Sequence, residues 1–98
     1  MIEAFQYINK AFESKVRLGI MAILMVNEEA DFNFLKEQLS LTDGNLASHT
    51  RALQELGYIL CNKSIIGRKP RTDFQATPQG REAFKSHIEA LEKFLKSK

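Results

Sequence analysis

The chain has 98 residues, 44% of them apolar and 27% charged, with a formal net charge of +2; this is enough for one modest core and hardly two, so a single domain over residues 1–98 is expected. The longest apolar run, Ile20 to Val26, is too short to span a bilayer, and the one cysteine, Cys61, excludes an intrachain disulfide and reads as a buried thiol. The N-terminus shows no basic stretch, apolar segment or small-residue cleavage site, which points to a cytoplasmic protein in a reducing compartment.

Ile2, Phe5, Ile8 and Phe12 recur at helical spacing and predict an amphipathic first helix over residues 2–13. Ser14 offers a cap for a second helix, which carries Val16, Ile20, Ile23 and Leu24. Met21, Met25 and Val26 lie around its girth, as in a central helix covered on several sides. It should end near Asn27. After the polar run Glu28-Glu29-Ala30-Asp31, Phe32 can enter a very short strand before Asn33 caps a short helix over 34–39, with Leu35 and Leu39 as its core residues.

Ser40-Leu41-Thr42-Asp43 reads as a tight turn, with Thr42 a natural N-cap and Asp43 placed against the positive end of the next helix dipole. That helix runs to about Leu56 and stops at Gly57. Tyr58 to Ile66 predicts a strand, Gly67-Arg68-Lys69-Pro70-Arg71 a loop, and Thr72 to Ala76 the returning strand of one hairpin. Thr77 as N-cap and Pro78 at the first helical position open a last helix with a stripe of Phe84, Ile88, Leu91 and Leu95.

The predicted fold is therefore mainly α with a small β-hairpin, in the α+β class. A short helix, a tight turn, a second helix and a basic hairpin together make the layout of a winged helix-turn-helix. The helix after the turn must bury one face and keep the other slim enough to enter a major groove about 12 Å wide. At about 100° per residue, Leu46, Thr50, Leu53 and Leu56 share one side, while Gly44, Ser48, Arg51 and Glu55 face away, flanked by Asn45, Ala47 and Ala52. Asn45 suits adenine, Ser48 a phosphate or base, and Arg51 guanine or phosphate. Charge is unevenly spread: residues 1–62 hold five Lys/Arg against eight Asp/Glu, whereas 63–71 hold Lys63, Arg68, Lys69 and Arg71 with no acid. A short cationic hairpin on a near-neutral chain suits a local anion contact along the DNA backbone or minor groove.

The run Leu-Thr-Asp-Gly-Asn-Leu-Ala-Ser-His at 41–49 is followed by Leu53, Leu56, Gly57 and Tyr58, then by Gly-Arg-Lys-Pro-Arg-Thr at 67–72 and Thr-Pro-Gln-Gly-Arg at 77–81. This pattern resembles the small winged-helix transcription regulators related to the MarR and ArsR families, over nearly the whole chain. The resemblance implies a homodimeric transcription regulator binding double-stranded DNA, and the two-fold axis of such a dimer in turn calls for an inverted-repeat operator. By position it implies Thr42, Asp43, Gly44, Asn45, Ser48, His49 and Arg51 as recognition-helix residues and Arg68, Lys69 and Arg71, beside Lys63, as wing residues. Phe5, Phe12, Phe84, Ile88, Leu91, Phe94 and Leu95 are the candidate dimer surface, the competing arrangement being packing of the two terminal helices on each other within one chain.

His49 falls between the groove face and the core edge, so a structural hydrogen bond and a DNA contact both remain open. His87, near the apolar stripe of the last helix, suits packing or dimer contact. One cysteine and two distant histidines give no metal-ligand cluster, no nucleophile–base pair suggests an enzyme, and nothing calls for a cofactor or a membrane. The resemblance carries over no effector identity, and whether a small molecule binds is not read from the sequence. A protein-interaction module without DNA binding is the main alternative, and RNA is disfavoured because its deep, narrow major groove cannot admit the helix.

Overall fold

In the computed structural model, which describes residues 2–96, the N-terminal segment forms two short helices rather than one. These are α1 (Ile2–Gln6) and a 3-10 turn (Lys10–Phe12). Asn9 breaks the run: its backbone is extended at φ −82°, ψ 121°, and its side-chain oxygen caps Ala11 N–H at 2.9 Å, the competition with helix for which Asn is suited. The side chain of Ile2, first of the predicted apolar positions, lies outside the described residues. Helix α2 (Lys15–Val26) begins at its Ser14 cap and buries Ile20, Met21 and Leu24 completely. Leu35, Leu46 and Leu53 close over it, with no exposed surface. Each such side chain is worth about 1.5–3 kcal/mol of burial.

Strand β1 is only Ala30–Asp31, and α3 (Phe32–Leu39) follows without a gap. The cap is Asp31, not Asn33, because its carboxylate accepts Phe34 N–H at 2.7 Å and a charged acceptor suits the helix N-terminus. Phe32 is thus helical. Helix α4 spans Asp43–Glu55, capped by the Thr42 hydroxyl, and the chain reverses at Gly57 with φ +78°.

Strands β2 (Ile59–Ile66) and β3 (Lys69–Ala76) pair antiparallel, and β1 adds to the outer edge of β3, giving the order β1-β3-β2. The hairpin loop is therefore Gly67-Arg68 alone, with Gly67 at φ +65°; Lys69, Pro70 and Arg71 belong to the strand. Ile66 faces Lys69 as the closing pair and Ile65 faces Pro70. Pro70 then falls on a non-hydrogen-bonded pair, beyond the reach of β1, where its missing N–H costs no ladder bond. Ile59 and Phe74 anchor the hairpin root in the core at 2% exposure each, whereas Asn62 to Pro70 are exposed throughout.

Helix α5 (Pro78–Lys96) is fastened where α4 ends. The Thr77 hydroxyl donates to Gly57 O at 2.7 Å and accepts Gly80 N–H at 2.9 Å, while Thr77 N–H bonds Tyr58 O at 3.0 Å. Gly80 is required here, since a Cβ would overlap the Tyr58 carbonyl. Arg81 reaches across to the C-terminus of α2 and donates to the carbonyls of Leu24 and Met25. The distal half of α5 leaves the core, with α1 packed beside it through Phe5 and Phe94, whose ring centroids are 5.9 Å apart. The protruding hairpin and α5 give a radius of gyration of 14.8 Å, above the roughly 13 Å of a compact chain this long.

Candidate nucleic-acid interface

Helix α3, a turn through Ser40 and Leu41, and helix α4 form the helix-turn-helix. Ser40 takes the left-handed conformation, φ 53° and ψ 51°, and Leu41 N–H returns to Lys36 O at 3.0 Å, closing the end of α3. Lys36 then bridges the turn to Asp43 at 2.7 Å. Asp43 thereby braces the two helices, and its exposed carboxylate also complements the helix dipole. Thr42 accepts Asn45 N–H at 3.2 Å with its hydroxyl oxygen, leaving the hydroxyl proton free for an acceptor outside the chain.

The faces of α4 separate as the periodicity predicts. Leu46, Thr50 and Leu53 are buried, and Thr50 returns its hydroxyl to the Leu46 and Ala47 carbonyls. Thr42, Gly44, Asn45, Ser48, Arg51 and Glu55 are exposed. Leu56, expected on the core side, is 43% exposed because it is the C-cap, where the chain is already turning away. Nothing lies within 4 Å of a Cβ at Gly44, so the first turn presents bare backbone. Free N–H groups at such a helix start favour a phosphate.

His49 is oriented by a residue that the sequence does not flag. Arg17 Nε donates to His49 Nδ1 at 3.1 Å, joining the first turn of α2 to the flank of α4. Burial, and secondarily the Arg17 charge, hold the His49 pKa below its ordinary value. The hydrogen bond spans 32 positions in sequence, and no local pattern announces it.

On the hairpin, Lys63, Arg68 and Lys69 are exposed, and no acid lies between 63 and 71. Arg71 differs from them. Its Nε donates to both carboxylate oxygens of Asp73 at 3.0 Å, and its Nη1 lies 3.8 Å from Asp31. Asp31 and Asp73 face each other directly across β1 and β3, so Arg71 is the counter-charge at the hairpin root rather than a free wing cation. The hydrogen bond to Asp73, then its charge, raises the Arg71 pKa further. Cys61, expected as a buried thiol, is half-buried opposite Phe74.

The terminal-helix candidates also divide. Phe12 at 3% and Phe84 at 9% exposure are core residues of this chain: Phe12 packs against Phe84, Tyr58 and His87 at centroid distances of 5.5, 5.7 and 5.2 Å. Buried within the chain, these two expected dimer-surface residues present almost no area to a second copy. Ile88, Leu91 and Phe94 are half-buried, and Phe5 and Leu95 are exposed by 61% and 80%. No helix among the described residues is long and apolar enough to cross a membrane.

A central helix, a helix-turn-helix and a three-stranded sheet with a projecting basic hairpin define a winged helix protein. The match to known proteins agrees: residues 16–95 fit the winged helix DNA-binding domain family, and the chain belongs to it. It is 46% identical over 79 residues, 81% of this chain and 86% of the other, to an uncharacterized protein of Methanocaldococcus jannaschii. A transcriptional regulator homologue from Pyrococcus horikoshii OT3 superposes with a TM-score of 0.86 at 33% identity, covering 97% of this chain and 95% of that one. The fold is also shared with ZitR, a zinc-responsive MarR family member of Lactococcus lactis. That likeness has a TM-score of 0.64 and 21% identity over 84% of this chain and 56% of that one.

Proposed function

We propose that this chain is a sequence-specific, double-stranded DNA-binding transcription regulator that acts as a homodimer. Helix α4 enters the major groove and the hairpin lies on the backbone or in the adjacent minor groove. The observation that carries this reading is the pairing of two exposed surfaces on one framework: the slim face of Gly44, Asn45, Ser48 and Arg51, and the acid-free hairpin with Lys63, Arg68 and Lys69. Base edges are read by the first and phosphates neutralised by the second. The exposed Phe5 and Leu95 on the protruding terminal helices supply the surface for a second copy.

Selection of bound sequences from random duplex DNA tests the reading, followed by titration of the recovered site at several salt concentrations. Replacing Arg68 and Lys69 together by Ala lowers affinity on all duplexes and reduces the log–log salt slope by about 0.9 for each phosphate no longer neutralised. Asn45→Ala or Arg51→Ala instead costs about 1–3 kcal/mol on the preferred site and relaxes discrimination at one or two base pairs. Failure to enrich any sequence, with binding to a protein partner retained, would favour an interaction module.

A further inference from the structure

Four cations among the described residues are partly buried: Arg17, Lys36, Arg71 and Arg81. Three of them have oxygen acceptors within the chain, namely Asp43 for Lys36, Asp73 and Asp31 for Arg71, and the α2 carbonyls for Arg81. Arg17 does not. The one side-chain partner of its guanidinium among the described residues is the ring nitrogen of His49, leaving four of its five N–H donors without a protein acceptor. Among these four partly buried cations Arg17 alone has no oxygen acceptor in the described chain, so its remaining N–H donors stay available to an acceptor from outside.

The position of the pair says which acceptor. His49 stands one helical turn after Asn45 on α4, and Asn45 is on the exposed flank proposed to read base edges. Arginine cannot accept a hydrogen bond, so the Arg17 bond fixes Nδ1 of His49 as the acceptor and places the imidazole proton on Nε2. Arg17 and His49 thus hold a planar fork and a ring N–H side by side at the edge of the major-groove helix. Exposed Lys15 lies two residues before Arg17 and adds a further positive group near the start of α2.

We propose that Arg17 and His49 form one phosphate-binding unit, taking a phosphodiester of the DNA strand that borders the groove occupied by α4. The unit rests on the DNA-binding reading above. It adds a third anchor on α2, besides the recognition helix and the wing, and it fixes how deeply and at what angle α4 enters. Arg17 touches the phosphate and also positions the imidazole, so the two side chains act together. The lowered His49 pKa keeps the ring neutral and able to accept from Arg17 while its Nε2–H is free to donate.

The test uses the full chain and a labelled duplex carrying the selected site, titrated across a range of salt concentrations. Arg17→Gln and Arg17→Met reduce the salt slope by about 0.9 per protomer and weaken selected and random duplexes by the same factor. Two neutral replacements guard against one that fails to fold, as judged by circular dichroism. In the wild-type protein, the Arg17 Nε–H and His49 Nε2 resonances move when duplex is added. An unchanged slope in a folded variant, or unmoved resonances in wild type that binds, overturns the phosphate unit and leaves the DNA reading intact. A wild-type chain that binds no duplex overturns both.

Discussion

The backbone N–H of Asn9 donates to Nδ1 of His87 across 2.9 Å, tying the segment before α2 to the middle of α5. Asn9 Nδ2 also donates to the Tyr58 hydroxyl at 3.1 Å, and the His87 ring stands edge-on to Phe12. His87 is 3% exposed, and burial lowers its pKa below the ordinary value. A protonated Nδ1 would confront the Asn9 N–H with a second donor.

Acid should therefore loosen this junction. The unfolded chain binds a proton near pH 6.5 more readily than the folded one, so stability is complete above that pH and declines as pH falls below it toward the lowered folded value. Thermal melts from neutral pH downward through the ordinary histidine range check this against His87→Asn, which keeps an acceptor near Nδ1 but does not titrate. The variant should lose less stability on acidification than the wild type; equal losses would place the acid sensitivity elsewhere.

Two glycines should respond oppositely to alanine. Gly80→Ala drives a methyl group into the Tyr58 carbonyl and should destabilise by about 3 kcal/mol or more, at the upper end of overpacking costs. Gly44→Ala meets nothing within 4 Å and should stabilise α4 by up to about 0.5–1 kcal/mol, while placing a methyl group on the groove face and lowering DNA affinity. Calorimetry with parallel DNA titration separates the two effects.

Arg71→Ala leaves Asp31 and Asp73 opposed without a counter-charge. The melting temperature should fall, yet the salt slope of DNA binding should change less than for Arg68→Ala or Lys69→Ala. A change in slope matching theirs would return Arg71 to the set of phosphate-neutralising residues.

Leu95→Glu tests the dimer at a position already exposed in the protomer. It should give a folded monomer by sedimentation, with operator affinity much reduced, because a carboxylate buried at an interface without a partner is costly. The operator should be an inverted repeat with half-site centres about 10–10.5 base pairs apart, and inserting five base pairs, about half a helical turn, should abolish tight binding. A wild-type monomer that holds a single half-site tightly would defeat the dimer.

Elements with strong local chemistry were legible in the sequence. The Thr42 cap, the Gly57 stop, the Thr77-Pro78 start and the burial of Leu46, Thr50 and Leu53 on α4 all follow from spacing and capping, whereas Leu56 on the same side is exposed at the helix end. What escaped depends on distant partners. Apolar periodicity over residues 2–13 concealed the Asn9 break, whose backbone bond goes to His87, 78 positions away. Strand β1 is two residues long and exists because β3 passes beside it. Arg71 carries the same charge as Arg68 but stands on β3 beside two carboxylates instead of in the exposed loop. Arg17 acquires its place through a hydrogen bond to α4 that composition and periodicity do not encode.

Because Thr77 is bolted to Gly57 and Tyr58, and Arg81 to the end of α2, the root of α5 is tied both to the end of α4 and to the central helix. At about 28 Å long, α5 works as a lever with its fulcrum at that junction. In the DNA-binding reading proposed above, a swing at its protruding end would be passed through that junction to α4. In a pair of chains joined through these levers, the distance between the two α4 helices would be a mechanical readout of the angle at which the levers cross.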